Sequence, residues 1–248
     1  MNASQEPWFK EWFNSPWYTK LYQHRSEQEA RQTVQLVRDV ARIPAGSCVV
    51  DLCCGYGRHS FALAEHGYHV LGIDASEHLI SLAKVQNEHH NVSYHLGDMR
   101  DSIPGGPYDA IFNFFTSFGY FDTHQEHQAV VNNIADHLTD HGTFVIDFLN
   151  AQHVRNNLVP ESMNMIGETT IIQERWIDEP YVRKTITVNA PCSQELTYHE
   201  HVWLYSDLEL ESMIHESGMH VISKHGSYAG DVFDADTSQR CIIIATKQ

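Results

Sequence analysis

Acidic residues stand at or near the ends of three successive apolar segments in the first half of the sequence. Asp51 closes the first segment and precedes Gly55 and Gly57, Asp74 closes the second, and Asp98 follows the third. A strand that ends in a glycine turn and continues into a helix presents backbone N–H groups to a nucleotide-like ligand. Carboxylates at the next two strand ends can accept hydrogen bonds from ribose hydroxyls and from the amino group of adenine. These residues therefore predict a nucleotide-like ligand at one edge of a sheet.

The neighbours of these carboxylates distinguish between two classes of nucleotide. A dinucleotide fingerprint has a third glycine where Ser60 stands here, and a carboxylate at Asp51 would repel a pyrophosphate. The same carboxylate favours a cationic or zwitterionic ligand, and Met99 beside Asp98 can pack on an adenine ring. The set indicates an adenosine with a positively charged tail, and S-adenosylmethionine is such a molecule. A nicotinamide cofactor, and with it a dehydrogenase, is the less favoured alternative.

Five apolar segments alternate with helical patterns, which predicts an α/β fold with a doubly wound parallel sheet. The segments are "CVVDL" from Cys48, "YHVLGID" to Asp74, "VSYHL" to Leu96, "YDAIFNFF" to Phe115 and "TFVIDFL" to Leu149. Three hydroxyl and carboxylate pairs have the spacing of a capping box and predict helix starts. The pairs are Ser26 with Glu29, Thr123 with Glu126, and Ser206 with Glu209.

The pattern changes after Asn150, where polar and apolar residues alternate as far as Ser206. This alternation predicts antiparallel strands inserted into the α/β domain. The last two apolar runs, "MHVISKHG" and "CIIIATK", predict an antiparallel pair at the edge of the main sheet. We therefore expect an N-terminal helical lid (1–45), a Rossmann-like domain (46–150 with 206–248) and an inserted β cap (151–205).

Composition excludes several partners and compartments. The 248 residues carry a formal net charge of −16 with no cluster of Lys and Arg, so nucleic acid is not an expected partner. Five cysteines without a repeated Cys-x-x-Cys spacing predict neither a disulfide framework nor a zinc ribbon. No signal sequence and no apolar run long enough to span a bilayer is found, so we expect a cytoplasmic protein that does not bind membranes.

The segments "VVDLCCGYGRHSFALAEHGYHVLGIDASEHLI", "LGDMRD", "YDAIFNFFTSFGYF" and "YSDLELESMIHESGMHVISKHGSY…RCIIIATK" resemble one family over nearly the whole chain. It is the bacterial small-molecule branch of class I S-adenosylmethionine-dependent methyltransferases. The resemblance implies a Rossmann-like seven-stranded sheet with the last strand inserted antiparallel, and a cap that follows strand five. One departure is Cys53, which stands where that family has the first glycine of its motif. Because a thiol is small, we expect the turn to survive with little room to spare.

The resemblance also assigns roles to individual residues. It implies that S-adenosylmethionine is the cofactor, that S-adenosylhomocysteine is its product, and that a small-molecule acceptor receives the methyl group by in-line transfer. A protein that binds this cofactor without catalysis remains an alternative. By position, the methionine end meets Asp51, Gly55 and Gly57; the ribose meets Asp74 beside Ala75; the adenine meets Asp98 and Met99; the sulfonium lies over Asn113 and Phe114.

Residues on the acceptor side are harder to assign. Arg25 is either the partner of the cofactor carboxylate or a solvated surface residue. Tyr120 and His201 are the catalytic candidates, with Ser117 and His199 beside them. His199 and His201 share a strand face, but the spacing indicates no third ligand, so no metal site is expected. We expect the cap to select the acceptor through Arg175, Trp176, Tyr198 and His201, and the aromatic residues of the N-terminal segment to form either a lid or an amphipathic packing helix.

Overall fold

The structure, a computed structural model, describes residues 7–23 and 26–248. Its strands are β1 (Cys48–Leu52), β2 (His69–Asp74), β3 (Val92–Leu96), β4 (Tyr108–Asn113), β5 (Leu138–Leu149), β6 (Glu161–Ile166), β7 (Thr169–Asp178), β8 (Tyr181–Asn189), β9 (Leu196–Trp203), β10 (Met219–His225) and β11 (Arg240–Lys247). Its helices are α1 (Trp8–Phe13), α2 (Pro16–Tyr22), α3 (Glu27–Ala41), α4 (Arg58–Glu65), α5 (Glu77–Gln86), α6 (His124–His137), α7 (Ala151–Asn157) and α8 (Asp207–Glu216).

The main sheet has seven strands in the order β10-β11-β5-β4-β1-β2-β3. Strands β1 to β5 are parallel, whereas β11 runs antiparallel to both β5 and β10. The predicted doubly wound sheet with an antiparallel last strand is therefore confirmed. Buried apolar clusters cover both faces, which explains why its strands read as nearly continuous apolar runs. The carboxyl ends of β1 to β5 meet along one edge, which is where this kind of sheet binds its ligands.

Two helices begin with the complete capping box that their sequences predict. At Thr123 and Ser206 the hydroxyl accepts from the backbone N–H three residues on, and the glutamate there accepts from the cap residue in return. At Ser26 the side chain accepts from the Glu29 N–H, which is half of the arrangement. These caps fix where α6, α8 and α3 start.

A separate four-stranded antiparallel sheet, in the order β6-β7-β8-β9, follows α7. This confirms the predicted antiparallel insert. One face of this sheet packs against the N-terminal helices, where Ile171, Ile186 and Val188 form a buried cluster with Trp12 and Leu21. The insert and the N-terminal segment are therefore held together by an apolar core of their own.

The fourth strand ends earlier than the sequence predicts. Its apolar run continues to Phe115, but β4 ends at Asn113 because Phe115 and Thr116 both have a φ of 61°. Their N–H groups donate to the Asp147 carboxylate and the Asp147 carbonyl, at 2.9 and 2.8 Å. These bonds hold two non-glycine residues in the left-handed region and turn the chain towards the carboxyl edge of the sheet.

Candidate active site

A cavity of about 350 Å³ lies at the carboxyl edge of the main sheet, beneath the N-terminal helices and the four-stranded sheet. Its volume is within the range of small-molecule sites. Of the cofactor-binding and catalytic candidates from the sequence, the structure places eight in the cavity wall: Gly55, Asp74, Ala75, Asp98, Met99, Phe114, Ser117 and Tyr120. Asp51, Gly57, Asn113 and His201 lie outside the wall, and Arg25 falls outside the described residues.

The glycine turn after β1 keeps its shape although Cys53 replaces its first glycine. Cys53 has a φ of 66°, in the left-handed region that glycine adopts without cost, and Gly55 and Gly57 also have positive φ. A Cβ at Gly57 would collide with the Tyr94 ring, whereas a Cβ at Gly55 would meet no heavy atom within 4 Å. Gly55 therefore presents bare backbone to the open space of the cavity.

Asp51 lies beneath this turn and not in the cavity wall. It is 1% exposed, and the Ser60 hydroxyl donates to its Oδ2 at 2.6 Å. Burial raises the pKa of Asp51 to about 7. Because Ser60 occupies the third-glycine position of a dinucleotide fingerprint, this bond explains the choice of serine there: it partners the buried carboxyl group.

Asp74 faces the cavity and also organises the turn. Its two carboxylate oxygens accept from Gly55 N and Ser76 N, each at 2.8 Å. Burial raises the pKa of Asp74 to about 6, against the opposing effect of these backbone donors. The side chain is thus fixed at the end of β2, with Ala75 beside it in the wall.

Asp98 and Met99 form the wall beyond β3. Burial alone would raise the pKa of Asp98, but hydrogen bonds and charge from Arg100 outweigh it and hold the pKa below its ordinary value. The Arg100 guanidinium donates to both oxygens of Asp98, at 3.0 and 2.8 Å. It also lies over the Phe121 ring, 4.7 Å from the centroid. Asp98 therefore stays ionised beside a thioether that is 8% exposed.

Asn113 supports the wall from behind. Its Nδ2 donates to Leu52 O at 3.2 Å and to Ser117 O at 3.0 Å, which ties the end of β1 to the loop after β4. Its Oδ1 is buried and accepts no hydrogen bond from the described residues. Phe114, next in sequence, lines the cavity itself.

The two catalytic candidates occupy different environments. Tyr120 lines the cavity, and its hydroxyl donates to Thr116 O at 2.7 Å. His201 lies outside the wall, where its Nε2 accepts from Trp8 Nε1 at 3.2 Å. Burial, with the charge of Arg183, lowers the pKa of His201. His201 therefore lies behind the wall residues that it contacts, and Tyr120 is the candidate that faces the cavity.

Three cap residues that the sequence analysis predicts to select the acceptor also lie away from the cavity. Arg175 donates to Ser162 and Gln173, Trp176 is 43% exposed, and Tyr198 packs on the Trp12 ring. None of the three lines the cavity. The expectation that Arg175 contacts the acceptor is therefore not supported by its position.

The cap instead contributes an ion pair that the sequence analysis missed. Lys184 of β8 and Glu200 of β9 are register partners, and their side chains form an ion pair in the cavity wall. Lys184 Nζ also donates to Tyr22 Oη at 2.7 Å, and Glu200 accepts from Trp12 Nε1. Burial would lower the pKa of Lys184, but Glu200 outweighs it and raises the pKa to about 12. Both residues have polar neighbours in the sequence, Lys184 between Arg183 and Thr185 and Glu200 between two histidines, so no sequence pattern marked them.

Two arginines in the wall were missed as well, Arg58 at the start of α4 and Arg240 at the start of β11. The N-terminal segment contributes both wall and packing: Trp8, Phe9, Phe13, Tyr18 and Tyr22 line the cavity, and Trp12 is fully buried against the cap. Among residues 7–23 and 26–248, no group of three or more His, Cys, Asp or Glu is arranged to hold a metal ion. In the same residues, no helix has the length and hydropathy needed to cross a membrane.

The sheet order, the glycine turn and the capped cavity at the carboxyl edge define the class I methyltransferase fold. Comparison with known proteins agrees: residues 49–142 match the family model described as a methyltransferase domain. The resemblance drawn from the sequence motifs is confirmed at this level, because residues 49–142 are similar to a methyltransferase domain.

Two curated relatives illustrate the similarity. The dTDP-3-amino-3,4,6-trideoxy-alpha-D-glucopyranose N,N-dimethyltransferase of Streptomyces venezuelae is 32% identical over 48% of this chain and 48% of its own length. The Cypemycin N-terminal methyltransferase of a Streptomyces species is 26% identical over 80% of this chain and 83% of its own length. This chain thus aligns with about half the length of the first of these relatives.

Solved structures extend the similarity over the whole fold. The CcbJ methyltransferase of Streptomyces caelestis has a TM-score of 0.80 at 18% identity and covers 96% of this chain and 98% of its own. DesVI of Streptomyces venezuelae has a TM-score of 0.70 at 21% identity, with coverage of 93% and 97%. At these identities the likeness establishes the fold, including the cap.

Proposed function

We propose that this protein is an S-adenosylmethionine-dependent methyltransferase that acts on a small molecule, and that the accepting atom is an amine nitrogen. The observation that carries the proposal is that one cavity brings three strand ends together with aromatic side chains. The strand ends contribute acidic side chains or exposed backbone to its wall. The name of the first curated relative above denotes methylation of nitrogen, and the name of the second denotes methylation at an N-terminus. The net charge of −16 favours a small acceptor over nucleic acid.

The residues present fit the methyl donor. Gly55 offers backbone with open space in front of it, so a ligand can approach closely. Asp74 is placed to accept from ribose hydroxyls, and Asp98 with Met99 is placed to hold the adenine ring. Arg58 is the first residue of α4 and follows the glycine turn directly. Its guanidinium group suits the carboxylate of the donor.

S-adenosylmethionine supplies an electrophilic methyl group on a sulfonium. The aromatic side chains in the wall exclude water and can face a cation without competing as nucleophiles. Phe114 and Tyr120 come from the loop after β4 and Trp8 comes from α1, and the three side chains line the same cavity. We assign them the tasks of holding the acceptor nitrogen in line and keeping the cavity dry.

An amine must be neutral before it attacks. Tyr120 lines the cavity, and its hydroxyl donates to Thr116 O, which holds the phenol group in the wall. We assign Tyr120 the role of accepting an N–H of the neutral amine and orienting its lone pair. This role requires no strong base, in keeping with the place of His201 outside the wall.

Calorimetric titration with S-adenosylmethionine, S-adenosylhomocysteine and NAD tests the donor assignment, and we expect heat from the first two only. Transfer of a labelled methyl group to metabolite fractions, with and without chemical blocking of amines, tests the acceptor. We expect labelling that blocking abolishes. Binding of NAD alone would contradict the proposal, and donor binding without transfer to any fraction would favour a protein that binds without catalysis.

The five free cysteines favour a reducing compartment, and we propose a cytoplasmic location.

A further inference from the structure

The strand order divides the cavity into two halves. The donor-binding groups follow β1, β2 and β3, which lie side by side on one flank of the sheet. The edges of β4, β5 and β11 lie on the other flank, and Phe114, Leu149 and Arg240 line the cavity there. Arg240 is the register partner of Leu149, the last residue of β5. Under the proposed function, this second half is where the acceptor binds.

Arg240 is held in this wall by a buried carboxylate. Its Nε and Nη2 donate to Asp147 Oδ1 at 2.8 and 2.6 Å, and Nη2 also reaches Asp147 O at 3.2 Å. Asp147 Oδ2 accepts from Phe115 N at 2.9 Å and from Tyr228 Oη at 2.8 Å. Asp147 is fully buried, so every one of these bonds is made away from bulk water. The guanidinium is therefore fixed in orientation along its Nε and Nη2 edge.

The remaining donors of Arg240 are left for a ligand. No described residue accepts a hydrogen bond from its Nη1, and the side chain, 20% exposed, forms part of the cavity wall. The Phe115 ring lies 5.3 Å from the guanidinium carbon and restricts its movement. A fixed guanidinium whose remaining N–H groups lie beside Phe114 and Phe115 in the cavity wall matches the geometry of an oxyanion.

We propose that Arg240 binds an anionic oxygen group of the acceptor, a carboxylate or a phosphate, so that the acceptor is an amine that also carries an acid group. This inference rests on the proposed function. The other charged groups of the roof do not compete: Lys184 and Glu200 neutralise one another. Asp147 does not line the cavity, so it is a positioning residue.

The test uses the full chain saturated with S-adenosylhomocysteine and follows its tryptophan fluorescence, to which Trp8 of the cavity wall contributes. Sodium acetate, sodium phosphate and sodium pyrophosphate are titrated separately at constant ionic strength in chloride. Acetate against the two phosphates distinguishes the kinds of acid group. The variant Arg240→Lys keeps a positive charge beside the Asp147 carboxylate but lacks the additional N–H donors of a guanidinium group. Arg155→Lys is the matched control, because Arg155 pairs in the same way with Glu179 outside the cavity.

We expect at least one anion to bind the wild-type complex, tenfold or more weaker binding by Arg240→Lys, and unchanged binding by Arg155→Lys. The affinity for S-adenosylhomocysteine should be equal in all three proteins. If Arg240→Lys does not fold, the charge-neutral pair Arg240→Gln with Asp147→Asn replaces it, with the same expectation. Absence of anion binding in the wild-type complex, or equal binding by the Arg240 variant, would overturn the inference. A wild-type chain that does not bind S-adenosylhomocysteine would instead contradict the proposed function.

Discussion

The two halves of the cavity are assembled in different ways. The half next to β1, β2 and β3 takes its groups from residues that directly follow each strand, between Gly55 and Met99. The other half draws on the N-terminal helices, the loop after β4, the cap and the start of β11, which are separated by up to the length of the chain. A local motif is therefore enough to specify the first half, whereas the second exists only after folding.

The two halves also treat charge differently. Next to β2, Asp74 is buried with backbone donors only, and its pKa is raised. The other carboxylates of the cavity region have charged partners: Asp98 with Arg100 in the same half, and Glu200 with Lys184 and Asp147 with Arg240 in the other half. An unpaired carboxylate is suited to a ligand that brings hydroxyls, while a paired set holds distant segments together.

The largest effect is expected from breaking the ion pair of the roof. Lys184→Met leaves Glu200 without its charged partner in a place where the pair is mostly buried, so we expect the free energy of unfolding to fall by about 3 kcal/mol. Chemical denaturation measures this. The double variant Lys184→Met with Glu200→Gln should recover most of the loss, and a double variant no more stable than the single one would contradict the assignment.

A similarly large effect, on affinity, is expected in the other half. Asp74→Ala removes the carboxylate that we propose as the acceptor for the ribose and frees the Gly55 and Ser76 N–H groups, so the affinity for S-adenosylhomocysteine should fall on the order of 100-fold. Calorimetry measures it. Asp109→Ala is the matched control, because Asp109 also accepts from a backbone N–H, that of Cys48 at the start of β1. Unchanged affinity in a folded Asp74 variant would show that this half does not bind the donor.

A smaller effect is expected from pH. The pKa of Asp74 is raised to about 6, so its charged form is lost as the pH falls through that value. Between pH 8 and pH 5.5 the charged fraction falls about fourfold, and affinity for S-adenosylhomocysteine should fall with it. Asp74→Asn should bind weakly and with a flatter profile. Affinity that rises on acidification would contradict the sign of this prediction.

The smallest effect concerns the turn. Cys53→Gly and Cys53→Ala both remove the thiol, but only glycine relieves the φ of 66°. We expect the glycine variant to be more stable than the alanine variant by about 0.5 kcal/mol, which reverses the usual order of these residues. Thermal unfolding of the two proteins side by side decides it. Alanine equal to or better than glycine would mean that the turn relaxes around a side chain.

Much of this architecture follows from local sequence patterns. Apolar runs bounded by turn residues specify β1 to β5, the hydroxyl and carboxylate spacing specifies the starts of α6 and α8, and alternation after Asn150 specifies the second sheet. The donor side of the cavity was predictable for the same reason, since Gly55, Asp74 and Asp98 sit where parallel strands end. The end of β4 was not, because the bonds that stop it come from Asp147, on a neighbouring strand.

What the sequence by itself determined is which residues share a face; tertiary structure decided which face is turned to the cavity. Alternation along β9 places His199 and His201 on one face of the strand. The register between β8 and β9 places Lys184 opposite Glu200. Only the packing of α1 and α2 on one side of the insert selects the ion pair for the wall and leaves His201 outside it. The period of a strand carries no information about which side will be covered, because the partner that covers it lies far away in the chain. For the same reason the sequence did not predict Arg240 as a wall residue, because Asp147, which holds its side chain, lies far away in the chain.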